Sequence, residues 1–275
     1  MNYHIINEKK LIVFWSPKCG VTSIIEMIMH LESGEDHSNT AQDHLTHETY
    51  FSKFRPNMIN RNKTKSYDYS DYAKVLFIRN PFHRVASCFY DKYVDQTSPT
   101  PEDVPDINNF YQFVKLLATT KLEKNNMEGI VDYDHFKPAT EGDGWDLYCK
   151  LNKPKFDYVF ETPPTALPEG KIVQNYNNIQ KVYELINNVP TYESIKHLYF
   201  GTLHSYDSWK AGNFNTLKKT HNSIYENIQS LQKYLNRENC RTIPYMNFYN
   251  DNMKSTIRNI YKKEFDFYKT LGFNY

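Results

Sequence analysis

Two short segments carry the residue types best suited to binding anions: residues 16–23 (SPKCGVTS) and residues 79–87 (RNPFHRVAS). Each segment directly follows an apolar, strand-like run and opens a helix-like run. In α/β proteins the turn from a strand into a helix often binds phosphate, because backbone N–H groups converge at the positive end of the helix. Two such turns indicate a ligand that carries two phosphates.

The first segment follows the apolar run 11–15 (LIVFW), which predicts a buried strand, and apolar residues at positions 24, 25, 28 and 31 then have helical spacing. Gly20 permits a tight turn, and a lysine adds a mobile positive charge. The candidate ligands of the first phosphate are Lys18, Cys19, Gly20, Val21, Thr22 and Ser23. Because no Gly-Lys-Ser/Thr triplet closes the loop, the sequence disfavours an ATP-type P-loop.

The second segment follows residues 74–78 (KVLFI), a predicted strand with Arg79 at its carboxyl end. Asn80 is a good N-cap and Pro81 suits the first helical turn, so the pattern predicts a helix through residue 90. Ser87 then lies about two turns along this helix, where it can share one anion with Arg79. Either segment alone is also compatible with an ordinary strand–loop–helix junction, but both together favour the ligand with two phosphates.

These motifs resemble those of the sulfotransferases that use 3′-phosphoadenosine 5′-phosphosulfate (PAPS). Residues 17–23 look like the 5′-phosphosulfate loop of that family, and residues 79–87 look like its 3′-phosphate motif. Residues 88–93 and the C-terminal stretches 247–251 and 260–268 are similar to the membrane-bound carbohydrate branch, of the Golgi and heparan 2-O type. The resemblance implies an α/β fold: a single domain with a central parallel sheet flanked by helices, the P-loop-like sulfotransferase fold.

The resemblance also implies a donor-binding core at about residues 9–95 and 236–275, with acceptor-side insertions at about 96–235. A chain of 275 residues that is 40% hydrophobic can bury a full core. The other predicted elements are a strand at 156–161, a surface loop at 134–145, helices at 110–117, 173–189 and 224–235, and one long closing helix at 253–271.

Composition limits the partners and the location. A net charge of +1 gives no overall field for nucleic acid or a membrane, although a local basic cleft can still bind an anionic polysaccharide. Residues 1–10 run almost directly into the first strand, without room for a signal peptide, and no apolar stretch approaches the ~20 residues that span a bilayer. Since the Golgi relatives carry an anchor, this departure predicts a cytoplasmic protein of bacterial or viral origin, or a trimmed catalytic domain.

The four cysteines, Cys19, Cys88, Cys149 and Cys240, are widely spaced and show no metal-ligand pairing. We interpret them as reduced thiols. Cys19 lies in the predicted phosphate loop, but sulfuryl transfer needs no enzyme nucleophile, so the sequence favours no covalent role for it.

The implied donor sets the mechanism. The sulfuryl group moves in line from a phosphate leaving group to a hydroxyl through a loose transition state, so the enzyme supplies positioning and charge stabilisation. We expect Lys18 to stabilise the departing 5′-phosphate, and Arg79 with Ser87 to hold the 3′-phosphate of the donor and of its product, 3′-phosphoadenosine 5′-phosphate (PAP). Nothing in this chemistry calls for a metal. Arg237 and Arg241 fall where relatives have a basic loop that closes over the donor.

The acceptor hydroxyl needs a base, and histidine is the natural choice near neutral pH. His44 and His47 lie between the two phosphate motifs, where the heparan-type relatives carry their catalytic histidine. His135 lies in a segment similar to the acceptor-facing loop of some carbohydrate relatives, so it is a further candidate for the acceptor side. A carboxylate such as Glu48, or no identifiable base, also remains open.

One detail and two other functions stay open at this stage. Lys218 and Lys219 compete with the arginine pair for the closing loop. A P-loop-type nucleotide kinase is one alternative function, although it would need a Gly-Lys-Ser/Thr loop and Mg²⁺. The other is a non-catalytic module that binds PAP or carbohydrate, which the retained lysine, arginine and serine of the two motifs disfavour.

Overall fold

The computed structural model describes residues 1–34, 49–64, 68–94, 107–119, 136–162, 178–187, 215–216, 228–238, 240–242 and 245–275. Contacts divide these residues into two units. The first unit contains the described residues of 1–78, 141–162 and 168–211, and the second contains those of 79–140 and 212–275. The predicted boundaries of a donor core and of acceptor-side insertions stay a prediction.

The strands are β1 (Asn2–Ile6), β2 (Leu11–Trp15), β3 (Ala73–Ile78), β4 (Tyr158–Glu161), β5 (Asn215–Thr216) and β6 (Cys240–Thr242). The helices are α1 (Val21–Ser33), α2 (Arg55–Thr64), α3 (Pro81–Phe89), α4 (Phe110–Thr119), α5 (Asp143–Lys150), α6 (Ile228–Glu238), α7 (Asp251–Ile260) and α8 (Lys262–Thr270). Single turns of helix occupy Asn7–Lys9, Tyr50–Phe54, Tyr90–Val94 and Tyr245–Phe248, and residues 178–185 are also helical. In the part of the chain that the structure describes, no helix is long and apolar enough to cross a membrane.

The first unit is built on one sheet with the strand order β1-β2-β3-β4. β2, β3 and β4 are parallel, whereas β1 pairs antiparallel with β2. All five residues of β2 are buried, as expected of a parallel strand covered on both faces. The predicted α/β fold with a sheet flanked by helices is therefore confirmed, and β1, which was not among the predicted strands, makes the sheet mixed.

The main hydrophobic cluster of the first unit lies on one face of this sheet. Alternate residues of β2, β3 and β4 point to that face and contact α1, two aromatic residues of the turn at 50–54, and the helical residues 178–185. His4 on β1 is fully buried. Its Nδ1 lies 3.0 Å from Tyr50 Oη, and its Nε2 lies 3.2 Å from Glu32 Oε1. These hydrogen bonds connect β1, α1 and the turn at 50–54.

The second unit is a helical cluster in which aromatic side chains of α3 and α4 pack with aliphatic side chains of α7 and with the aromatic residues that flank it. A buried ion pair joins α3 to α8 inside it: Arg84 Nη2 lies 2.6 Å from Glu264 Oε2, and both side chains have zero exposure. Arg84 also donates to the carbonyl of Lys137 (2.7 Å), and the Glu264 carboxylate accepts from the Ala139 N–H (2.9 Å). Each charged group thus has one hydrogen bond beyond the pair itself, while Arg84 Nε and Glu264 Oε1 have no hydrogen-bond partner among the described residues.

The predicted surface loop at 134–145 is wrong for its described residues, 136–145. Phe136 and Ala139 are fully buried in the second unit, and α5 begins at Asp143 in the first. Gly144 packs so closely on β1 that a Cβ would lie 2.6 Å from the Asn2 carbonyl oxygen. The proline and polar residues of this stretch predicted an exposed loop. The buried ring of Phe136 and the close backbone contact of Gly144 with β1 hold it against the protein instead.

The predicted single helix at 253–271 is also wrong, because it is two helices that meet at Tyr261. The backbone of Tyr261 (φ −101°, ψ 24°) leaves the helical range between α7 and α8. Its hydroxyl donates to the Phe136 carbonyl (2.8 Å), and the Arg84 guanidinium lies 4.9 Å from the centre of its ring. These tertiary contacts, which span more than 100 residues of sequence, accompany the break that apolar periodicity did not predict.

Candidate functional site

The loop between β2 and α1 is fixed at the carboxyl edge of the parallel strands. The Ser16 N–H donates to the Phe77 carbonyl on β3 (2.9 Å), and the Thr162 hydroxyl donates to the Cys19 carbonyl (2.6 Å). Thr162 directly follows β4, so neighbouring strands hold the loop at both ends. Sequence reasoning missed Thr162, although a polar residue at the end of a predicted strand was the available signal.

The loop turns through two residues with left-handed backbone. Gly20 has φ +85° and ψ 41°, and Lys18 has φ +56°. Such a φ is ordinary for glycine but uncommon for lysine, and uncommon backbone angles concentrate at functional sites. A Cβ on Gly20 would meet nothing within 4 Å, so only the backbone angle requires glycine there. The tight turn predicted for Gly20 is confirmed.

Helix α1 begins directly after this loop, and no side chain caps its N-terminus. The N-cap is Gly20, which has no side chain, and the first turn contains no acidic residue. N–H groups at a helix start have no intrahelical partners, and the helix dipole favours negative charge near them. Thr22 and Ser23 lie half-buried in this first turn, and Lys18 is half-buried before it. These groups suit an anion.

Cysteine plays a structural part in this loop. The side chain of Cys19 is buried, with 3% exposure, and its carbonyl accepts the Thr162 hydrogen bond. Cys19, Cys88 and Cys149 are free thiols. The prediction that Cys19 has no covalent role stays a prediction.

The second segment has the predicted strand–cap–helix geometry. Asn80 Oδ1 accepts from the Phe82 N–H (2.9 Å), and Pro81 is the first residue of α3. Arg79 Nη1 donates to Ser87 Oγ (3.2 Å), and both residues are buried, at 6% and 8% exposure. The structure therefore brings Arg79 and Ser87 together as their spacing predicted, while their binding of a phosphate stays a prediction.

His83, which sequence reasoning did not single out, lies four residues after Arg79 and four before Ser87. Burial lowers the pKa of its imidazole to about 4, and the positive charge of Arg79 acts in the same direction. The ring is therefore neutral at pH 7. The available signal was the spacing from Ser87, since residues four apart in a helix share one face.

Of the other predicted site residues, two arginines lie in described elements and six residues lie outside the described ranges. Arg237 lies in α6 and Arg241 lies in β6. The residues that fall outside the described ranges are His44, His47, Glu48, His135, Lys218 and Lys219. Their predicted roles in proton transfer, acceptor binding and donor closure stay predictions.

Comparison with known proteins gives one family. The sequence model described as the sulfotransferase family matches residues 1–161, which include both anion-binding segments. This match covers more than half of the 275 residues. No curated protein and no solved structure matches the chain.

Proposed function

The chain belongs to the sulfotransferase family, and we propose that it transfers the sulfuryl group of PAPS to a hydroxyl group of a carbohydrate. The observation that carries the choice of donor is the buried pair of Arg79 and Ser87, held 3.2 Å apart directly after a strand. A guanidinium and a hydroxyl in this arrangement supply converging donors for one phosphate. With the loop before α1, the chain offers one donor set for each phosphate of PAPS.

In the proposed reaction the acceptor oxygen forms a bond to sulfur while the bond from sulfur to the bridging oxygen of the 5′-phosphate breaks. The electron pair of that bond stays on the phosphate, which leaves as PAP, and the acceptor proton passes to a base. The Lys18 ammonium and the N–H groups at the start of α1 stabilise the charge that develops on the leaving phosphate. Arg79 and Ser87 fix the register of the donor through its 3′-phosphate.

The acceptor side of the proposal rests on the sequence. His44 or His47 is the proposed base, with His135 on the acceptor side, and Arg237 with Arg241 is proposed to close over the donor. Carbohydrate is the proposed acceptor because the stretches 88–93, 247–251 and 260–268 resemble the carbohydrate branch. In this proposal the reaction needs no metal, and the protein acts in the cytoplasm without a nucleic-acid partner.

The donor is tested by ligand-dependent melting. PAP should raise the melting temperature of the wild type much more than AMP does, because only PAP offers a 3′-phosphate to Arg79 and Ser87. Arg79→Ala should remove most of the difference between the two nucleotides. Equal shifts from PAP and AMP would contradict the assignment of the 3′-phosphate, and a larger shift from ATP with Mg²⁺ would favour a kinase.

Turnover is tested with labelled PAPS and a panel of glycans, peptides and small alcohols. Lys18→Ala should lower kcat by roughly 10²–10³-fold, because the lysine contact strengthens as charge develops on the leaving group. Lys10→Ala is the matched control: Lys10 also has left-handed backbone (φ +48°), but it is exposed and paired with Asp71. PAP binding with no transfer to any acceptor would favour a non-catalytic module.

A further inference from the structure

His83 lies in sequence between the two residues of the Arg79–Ser87 pair. Arg79 stands just before the N-cap of α3, and its guanidinium reaches Ser87, in the second turn of the helix. His83 lies midway between them in sequence, and on α3 it shares one helix face with Ser87, because four residues are slightly more than one helical turn. The positive charge of Arg79 is close enough to lower the pKa of the His83 imidazole.

The imidazole of His83 has unused hydrogen-bonding capacity. Within the part of the chain that the structure describes, its buried Nδ1 has no hydrogen-bond partner. A buried polar atom without a partner costs free energy, so such atoms often mark a position that a ligand completes. Arg79 and Ser87, which flank His83 in sequence, are the residues to which the proposed function assigns a phosphate.

Among the charged residues on and near α3, Arg79 affects the protonation of His83. Arg84, the next residue on α3, is paired with Glu264 of α8 in the core of the unit. Arg258 of α7 lies over a phenylalanine ring of α3. Arg79 is the charge that acts on the His83 ring, and it opposes protonation. A bound dianion would reverse that influence.

We propose that His83 is a specificity residue for the 3′-phosphate: it is neutral in the free protein and takes up a proton when the phosphate binds beside Arg79 and Ser87. The imidazolium then donates a charge-assisted hydrogen bond to the phosphate, and nothing but a proton from solvent is added. This inference rests on the proposed donor. It predicts that the affinity for the 3′-phosphate is coupled to pH through His83.

The direction of this coupling is opposite to that of the phosphate itself. A phosphate with a second pKa near 6 releases protons if it binds as the dianion. His83 takes up protons, because the bound phosphate raises a pKa that burial had lowered to about 4. Binding of PAP should therefore weaken as the pH rises through the pKa that His83 has in the complex, and removal of His83 should abolish this part of the dependence.

The test is titration calorimetry with PAP and AMP at pH 6.5, in two buffers with different ionisation enthalpies, which counts the protons exchanged. Wild type should take up more protons per PAP than His83→Gln, by up to about one, and should bind PAP roughly five- to tenfold more tightly at pH 6. AMP should show no difference between the two proteins. His30→Gln, on α1 of the first unit, is the control and should match the wild type.

If wild type and His83→Gln take up the same number of protons per PAP, the inference is overturned. It is also overturned if the two proteins differ as much with AMP as they do with PAP. If the glutamine variant does not fold, the wild type alone decides: proton uptake with PAP but not with AMP supports the inference, and its absence refutes it. Failure of the wild type to bind PAP would refute the proposed function and this inference with it. Normal PAP binding without the His83 effect would refute the inference alone.

Discussion

The two glycines that bound α1 allow a matched test of the phosphate loop. Gly20 precedes the helix with φ +85° and Gly34 follows it with φ +71°, and a Cβ at either position would meet nothing within 4 Å. Alanine in left-handed backbone costs roughly 1–2 kcal/mol, partly offset by the lower entropy of the unfolded chain. Either substitution should therefore lower stability by up to about 1 kcal/mol, or about 2–4 °C in Tm, and by less where the alanine relaxes out of the left-handed conformation.

The two variants should differ in donor binding. Gly20 is exposed, so its strained alanine can relax in the free protein, and binding must then restore the turn. A cost of about 1–2 kcal/mol corresponds to a roughly 5- to 30-fold loss of PAP affinity in Gly20→Ala. Gly34→Ala should bind PAP like the wild type. Chemical denaturation and calorimetric titration measure both effects, and equal PAP affinities in the two variants would refute the role of the turn.

Two further predictions concern buried charge in the second unit. Arg84→Met leaves the Glu264 carboxylate buried without its partner and should lower the free energy of unfolding, measured by urea denaturation, by about 3–5 kcal/mol. Asp266→Asn, which removes an exposed pair with Lys262, should lower it by less than about 1 kcal/mol. Similar losses in the two variants would contradict the burial assigned to the Arg84–Glu264 pair. Because the pKa of His83 is low, about 4, the unfolded chain binds more protons than the folded protein between pH 6.5 and 4. Stability should therefore fall as the pH drops through this range, and His83→Gln should reduce that fall. Parallel pH profiles of the urea midpoint in wild type and His83→Gln would contradict this prediction.

Local chemistry predicted the elements that hold the two motifs. The apolar runs before each motif form β2 and β3, and the cap at Asn80 and the turn at Gly20 follow from properties of single residues. The pairing of Arg79 with Ser87 follows from helical spacing. Each of these predictions depends on interactions within a few residues, which the sequence displays directly.

Long-range contacts account for what the sequence did not predict. The break at Tyr261 accompanies a hydrogen bond to a carbonyl 125 residues away, and the Thr162 hydroxyl reaches a carbonyl 143 residues away. β1 pairs with β2 through backbone hydrogen bonds that composition does not reveal. The neutral state of His83 arises from burial and a neighbouring charge, neither of which can be read from spacing alone.

The ion pair between α3 and α8 also bears on how the chain is made. Arg84 and Glu264 are 180 residues apart, so a ribosome synthesises most of the protein between the cation and the anion that neutralises it. Until α8 emerges, closing the second unit would bury a guanidinium without a counter-ion, at high cost. The nascent chain therefore completes this unit last, and a product that stops before α8 keeps the surface of α3 open to chaperones and proteases.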